Sequence, residues 1–378
     1  MQHNPGKDLL TAIEHADADL RHLSLQIHDH PELGYEEHFA RKTLTDYLSL
    51  LGFNVTKHAC DIETAFIAEY VHHGDGSHDA SSPMRSAAME KNNIRGRVRL
   101  LGTPAEETLG GKRPMLERGA FDGLDACMMV HPGQFDVLYR QPLGVGRLEM
   151  EFHGKASHAS ASPWEGINAL DAVAMTYNAI GLMRQQTLPA NRIHSIVTNG
   201  GQAANIIPEL ASMTTLYRAG TIPEMNKLQD QINEIIESSA DATGCTVKIN
   251  KTMEYLPLNN NSILTDRYGS YMKSLGAHFN TRAVDEVTPA GSTDMGNVTA
   301  TVPGCHPVFN IASLEGVREP GLSTHSILFA ERARTELAHK TAIRAAKGLA
   351  LTGLDVLLDA EFTKNARDEF ARWKKGSQ

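Results

Sequence analysis

Between Pro142 and Pro257 the chain runs strand, helix, strand, strand, helix, strand, and this order constrains the fold more than any other feature. The strand at Gly146 to Phe152 leads to a helix opened by Ser162 and Pro163. Strands follow near His194 to Thr198 and Met213 to Tyr217, then a helix capped by Thr221 with Pro223 in its first turn, then a last strand at Thr246 to Asn250. A β-α-β-β-α-β series of about a hundred residues is the pattern of a ferredoxin-like unit. It reads as an insertion between two parts of another domain, and 378 residues suit two domains at about 150 residues each. Residues 1–144 and 256–378 are therefore expected to form one discontinuous α/β domain, with 145–255 as a separate lid.

The flanking parts support an α/β reading. Leu9, Ile13, Ala16, Leu20, Leu23 and Ile27 repeat at helical spacing and predict one amphipathic helix. Ala40, Leu44, Tyr47, Leu48 and Leu51 predict a second, with Gly52 placed to end it in a left-handed cap. Short apolar runs at Thr64 to Tyr70, Arg97 to Leu101 and Ala126 to Val130 read as strands, and a helical stretch at Lys112 to Glu117 separates the last two. Such alternation implies a sheet with some parallel pairing. Beyond Pro257 helices dominate, Ala338 to Leu358 being the longest, and the end from Lys374 reads as frayed.

Charge and composition narrow the function. With 36 basic and 45 acidic residues the net charge is −9, a field that repels phosphate backbones and argues against nucleic acid as a partner. No apolar run approaches the roughly 20 residues of a membrane span. Met1 to Leu10 lacks the layout of a secretory signal, so a cytoplasmic location is expected. Cys60, Cys127, Cys245 and Cys305 are scattered, which suits reduced thiols.

Two strand ends carry the most telling chemistry. Gly102-Thr103-Pro104-Ala105-Glu106-Glu107 places adjacent carboxylates at the edge of a sheet, where α/β proteins bind ligands. One carboxylate can then ligate a metal while its neighbour serves as general base, although a solvated loop or helix N-terminus would use the same residues. Met128-Met129-Val130-His131-Pro132-Gly133 ends a strand in an imidazole, a common zinc ligand. His325, before the late helix, is a third candidate ligand or simply a helix-start residue. In the inserted unit, His158 is able to polarise a carbonyl or to face solvent. Asn205 and Arg218 flank one antiparallel connection, and both side chains suit a carboxylate as well as they suit a turn and a strand end. His28-Asp29-His30 spells the HxH of a barrel amidohydrolase, but it ends a helix rather than a barrel strand, which rejects that reading.

Taken in order along the chain, these motifs resemble the zinc-dependent aminoacylase and carboxypeptidase family of co-catalytic metallopeptidases. The nearest branch holds hippurate hydrolase, aminobenzoyl-glutamate hydrolase and β-alanyl-lysine (Xaa-Arg) dipeptidase-like proteins. The likeness runs through His30-Pro31-Glu32-Leu33-Gly34, Glu63 to Phe66, Gly102 to Glu107, Met129 to Gly133, Gly154 to Ala172, Asn199 to Pro208 and Gly291 to Asn297. It implies Glu106 as general base and Glu107, His131 and His325 as ligands of zinc or another divalent cation such as manganese or cobalt. It further implies His158 as a lid residue that reaches a substrate across a homodimer, and Asn205 and Arg218 as holders of the substrate carboxylate.

One departure stands out. After Tyr70 the family carries Asp-Ala-Leu-Pro, then His-Ala-Cys-Gly-His with two metal ligands, then a long helix. This chain instead reads Val71-His72-His73-Gly74-Asp75-Gly76-Ser77-His78-Asp79 and reaches Arg97 early, leaving room for a helix no longer than Pro83 to Asn92. His58-Ala59-Cys60 spells half the motif on the wrong side of the strand. Full two-metal occupancy is thus not expected unless His72, His73, Asp75, His78 or Asp79 substitutes. The expected function is a metal-dependent amidohydrolase of dipeptides or N-acyl amino acids with impaired activity. The rival is a catalytically inactive dimeric homologue with a binding or structural role.

Overall fold

The computed structural model describes residues 4–74, 87–287, 291–312 and 319–376. In the first part the elements are α1 (Pro5–His15), α2 (Asp17–His28), α3 (His38–Leu50), β1 (Asn54–Lys57), β2 (Phe66–His72), α4 (Ala87–Lys91), β3 (Gly96–Gly102), α5 (Lys112–Glu117), β4 (Cys127–Met128) and β5 (His131–Gly133). The single helix expected from Leu9 to Ile27 is two, divided at Ala16 (φ −84°, ψ −2°), which caps the end of α1 and the start of α2. The break lets each half follow its own support. Lys91 pairs with Asp8 at 2.6 Å and Lys347 with Glu14 at 2.7 Å, tying α1 to α4 and to the long C-terminal helix, while α2 packs on α3. The second expected helix is α3, and Gly52 has the left-handed φ of 87° that its end requires.

β1, β2 and β3 form one antiparallel sheet in that order. The β2–β3 register runs from Phe66 opposite Gly102 to His72 opposite Gly96, so β3 folds straight back along β2. Phe66, Ala68 and Leu48 bury one face with Leu44, Phe53 and Val55 packed around them.

The inserted elements are β6 (Gly144–His153), β7 (Ser157–His158), α6 (Ala169–Met183), β8 (Arg192–Asn199), β9 (Ile206–Ile207), β10 (Leu210–Ala219), α7 (Ile222–Thr243) and β11 (Thr246–Tyr255). Four of the strands make a sheet of their own, antiparallel in the order β11-β6-β10-β8. Period-2 alternation turns Leu148, Met150, Phe152, Met213 and Tyr217 toward Val173, Ile180, Ile232 and Ile236 of the two helices. Each large side chain buried there contributes about 1.5–3 kcal/mol, enough for this layer to hold its own core. Ser162 and Pro163 start only a 3-10 turn at Pro163–Glu165. Gly166 is extended and Ile167 pairs its backbone with Lys155, so α6 begins later, with the Asn168 side chain accepting the Leu170 N–H at 3.0 Å. β8 is an edge strand that leaves Ile196 and Val197 exposed.

The last part holds α8 (Ser262–Ser274), α9 (Arg282–Val287), α10 (Met295–Thr299), β12 (Gly304–Cys305), β13 (Val308–Asn310), α11 (Ile327–Ala333), α12 (Glu336–Leu358) and α13 (Ala360–Gly376). β12 pairs with β4 and β13 with β5, both in parallel. Tyr268, Met272, Phe309, Ile311, Ala338 and Ala345 share a core with Leu138 and Tyr139. Beneath it the buried Asp136 accepts the Asn310 N–H at 2.9 Å and pairs with Arg344 at 3.0 Å, fixing β13 to α12. Two compact units result, one of residues 142–258 with 291–296 and one of the other described residues. No helix among the described residues is long and apolar enough to cross a membrane.

Candidate functional site

In the larger unit, β3 delivers Thr103 and Pro104 to a tight turn. Ala105 takes φ +58° there, and its carbonyl accepts the N–H groups of Thr108, Leu109 and Gly110 at 3.3, 3.0 and 2.8 Å. Glu106 and Glu107 lie in this turn, the first half-buried and the second exposed. Glu107 Oε2 lies 3.6 Å from His325 Nε2, and His325 itself has a left-handed φ of 73°. His131 begins β5 rather than ending a strand, and its Nδ1 donates to the Pro132 carbonyl at 2.6 Å, which leaves the Nε2 lone pair available. Burial lowers the His131 pKa; Arg140 and His325 act in the same direction, and the Pro132 bond and Glu107 oppose them. Burial likewise pulls the Arg140 guanidinium down, against the pull of Glu106 and Glu107. Glu107 and His325 thus approach each other directly, the charges of both act on His131, and those of Glu106 and Glu107 act on Arg140.

Sequence reasoning missed Arg140, Lys112 and His306. His306 is only 2% exposed, neither ring nitrogen has a hydrogen-bond partner among the described residues, and its ring centroid stands 5.9 Å from that of His131. Burial, reinforced by His131, Lys112 and Arg140, keeps its pKa well below the usual histidine range. A signal for it existed, because His131-Pro132 and His306-Pro307 are the same dipeptide on segments that the parallel sheet aligns. Arg140 and the buried Lys112 carried no such local signature.

In the smaller unit, His158 lies on β7 opposite Ile206 of β9, and Ala159 donates to the Asn205 carbonyl at 3.1 Å. His158 Nδ1 accepts the N–H groups of Ser160 and Ala161, both at 3.3 Å. The proton of a neutral ring therefore sits on Nε2, as a donor. Arg218 is half-buried on β10, donates to Ser292 Oγ at 2.5 Å, and is lowered in pKa by burial. It does not share a connection with Asn205. Arg218 pairs with Val145 at the start of β6, whereas Leu210 pairs with His153 at its end, and Asn205 lies beyond Leu210.

Other candidate residues fall elsewhere. His72 is buried at the end of β2, with Nδ1 accepting the Gly74 N–H at 3.2 Å, and His73 is exposed. Asp75, His78 and Asp79 lie outside the described residues. His30 stacks on Phe39 at 4.0 Å, a packing role.

Residues 143–243 match the family model for the peptidase dimerisation domain. The human Xaa-Arg dipeptidase is 32% identical over an alignment that covers 95% of this chain and 90% of that protein. The chain belongs to the M20 peptidase family. A p-aminobenzoyl-glutamate hydrolase polypeptide from Escherichia coli K12 is 26% identical to this M20 chain, with 91% of this chain and 90% of that one covered. A dinuclear metal-binding peptidase of the M20 family from Bacillus subtilis shares its fold at a TM-score of 0.60 and 18% identity, covering 92% of this chain and 99% of that one. The alignment with the human relative spans 403 positions, more than the 378 residues here, so that relative has residues with no counterpart in this M20 chain.

A dinuclear centre requires several protein ligands for each of two ions about 3.5–4 Å apart. Among the described residues of this M20 chain, no group of three or more His, Cys, Asp or Glu side chains is arranged to hold an ion. Glu107 and His325 approach each other but make no such group with His131, so the described residues do not fit a dinuclear metal centre.

Proposed function

We propose that this M20 chain is an amide-bond hydrolase for dipeptides or N-acyl amino acids, acting with low turnover as a homodimer through residues 145–255. The observation that supports the reading is the 3.6 Å approach of Glu107 to His325, far apart in sequence, with Glu106 next to Glu107 in the same turn. In this proposal Glu106 takes a proton from the attacking water and returns it to the leaving amine. The Nε2–H of His158 donates to the carbonyl oxygen as negative charge develops, a role its bonded Nδ1 supports. Arg218 and Asn205 bind the substrate carboxylate. Low turnover follows from the shortage of ligands, which would hold zinc, manganese or cobalt weakly.

Dimerisation is supported by the matched domain and by the exposed Ile196 and Val197 on the β8 edge. Because the human relative is named for Xaa-Arg dipeptides, Xaa-Arg and Xaa-Lys dipeptides are the first substrates to assay, followed by N-acyl amino acids. Hydrolysis abolished by Glu106→Gln would support the reading. No turnover of any of them with added zinc, manganese or cobalt would overturn it. The lack of a three-ligand group among the described residues favours a second reading, a dimer that binds such molecules without cleaving them, which equilibrium binding in the absence of hydrolysis would establish.

A further inference from the structure

We infer that Glu37 is a positioning residue that clamps the left-handed peptide at Ala105 and so aims the Glu106–Glu107 turn. Its Oε1 accepts the Ala105 N–H at 2.7 Å, and its Oε2 accepts the Thr64 hydroxyl at 3.0 Å. Both partners are buried, Thr64 at 4% exposure and Ala105 at 5%. Ala105 needs such a clamp. At φ +58° its Cβ crowds the backbone, a conformation that residues other than glycine rarely hold without support.

The local sequence explains why Glu37 is available for this task. It occupies the cap position of α3, yet its side chain makes no capping bond to that helix. Glu32 does the capping instead, its two oxygens accepting the N–H groups of Phe39 at 2.7 Å and Ala40 at 2.9 Å. Glu37 is thereby released to turn across to β2 and to the turn after β3. The two segments lie flush, since a Cβ at Gly34 would stand 2.3 Å from Thr108 Oγ1 and 3.1 Å from the Ala105 Cβ. With Ala105 held, its carbonyl collects the N–H groups of Thr108, Leu109 and Gly110, and this fixes the direction in which Glu106 leaves the backbone. Sequence reading hid Glu37, because Glu36-Glu37 ahead of a helix looks like dipole matching alone.

The kinetic half of the inference rests on the hydrolase reading, while the structural half stands without it. The test uses the full chain and hydrogen exchange at the amides of Thr108, Leu109 and Gly110. Glu37→Ala should speed exchange about tenfold or more, as expected when a charge-assisted bond is lost. Glu37→Gln should stay within about threefold of the parent, because its amide oxygen still accepts from Ala105 and its NH2 donates to the Thr64 hydroxyl. Ala105→Gly in the Glu37→Ala background should restore protection, since glycine holds positive φ unaided. In a preparation that turns over, Glu37→Ala should lower kcat with KM unchanged. Unchanged exchange in Glu37→Ala, no restoration by Ala105→Gly, or a loss confined to KM would overturn the inference. Should Glu37→Ala fail to fold, recovery of the fold by Ala105→Gly supports it and continued failure overturns it. A parent protein without turnover would sink the hydrolase reading and leave the exchange result to decide this one.

Discussion

Asn205 and Arg218 lie off opposite ends of β10: the eight steps from Leu210 to Arg218 span roughly 25 Å, and Asn205 comes five residues before Leu210, bonded through its carbonyl to Ala159 past the His153 end of β6. An Arg and an Asn side chain together bridge less than half of that distance, so one copy of the sheet cannot bring both to a single carboxylate. If both serve one substrate, they come from two copies.

Mixing therefore gives the first prediction. His158→Ala and Arg218→Ala chains should each lose turnover by about a hundredfold. Unfolded and refolded together in equal amounts, they should regain about a quarter of parental activity, the share of sites that keep both residues in random pairs. No recovery above the separate variants would exclude a composite site.

Metal stoichiometry provides the second. Because no three-ligand group exists among the described residues, the purified chain should retain fewer than two zinc ions after dialysis, measured by plasma emission. His131→Ala and Glu107→Gln should lower whatever is retained. Two tightly held ions per chain would show that ligands outside the described residues complete the centre.

The third concerns pH. Burial depresses the folded-state pKa of His306 below the ordinary value of about 6.5, so the unfolded chain binds the proton more readily. The stability contributed by keeping this ring neutral is complete above about pH 6.5 and is lost as pH falls toward the folded pKa, by about 1.4 kcal/mol per unit. Denaturant midpoints should drop between about pH 6.5 and 5. His306→Gln should flatten that slope; an unchanged slope would show that other groups set it.

The fourth tests the join between β13 and α12. Asp136→Ala takes the carboxylate from the half-buried Arg344 guanidinium, which keeps its bond to the Gly276 carbonyl, and removes the acceptor of the Asn310 N–H, so a loss of about 2–3 kcal/mol is expected. Asp136→Asn, which still accepts one bond, should cost less. Equal midpoints for parent and Asp136→Ala in urea would mean the pair contributes nothing net.

Local pattern was enough for much of the molecule. The alternation in β6 and β10, the Thr221 cap with Pro223 and the stripe through Leu44 and Leu48 each have a cause within a few residues, so the inserted sheet with its helices and α3 were legible. So was the colinear set of motifs behind the family assignment. The break at Ala16 was not, because α1 and α2 rest on different supports, α1 on α4 and α12 and α2 on α3, that are remote in the chain. Nor was the start of α6, which waits on a pairing between Ile167 and Lys155.

Chain order by itself determined which residue types could do chemistry here: two carboxylates after a strand, imidazoles at His131, His158 and His325, a guanidinium at Arg218. Only the tertiary structure decided their company. It set the His306 ring, its nitrogens unbonded among the described residues, beside His131, put Arg140 under the charges of Glu106 and Glu107, and separated Asn205 from Arg218. The physical reason is that periodicity and capping act over one or two turns of chain, whereas desolvation and charge act through space, between segments that only the packed core brings near.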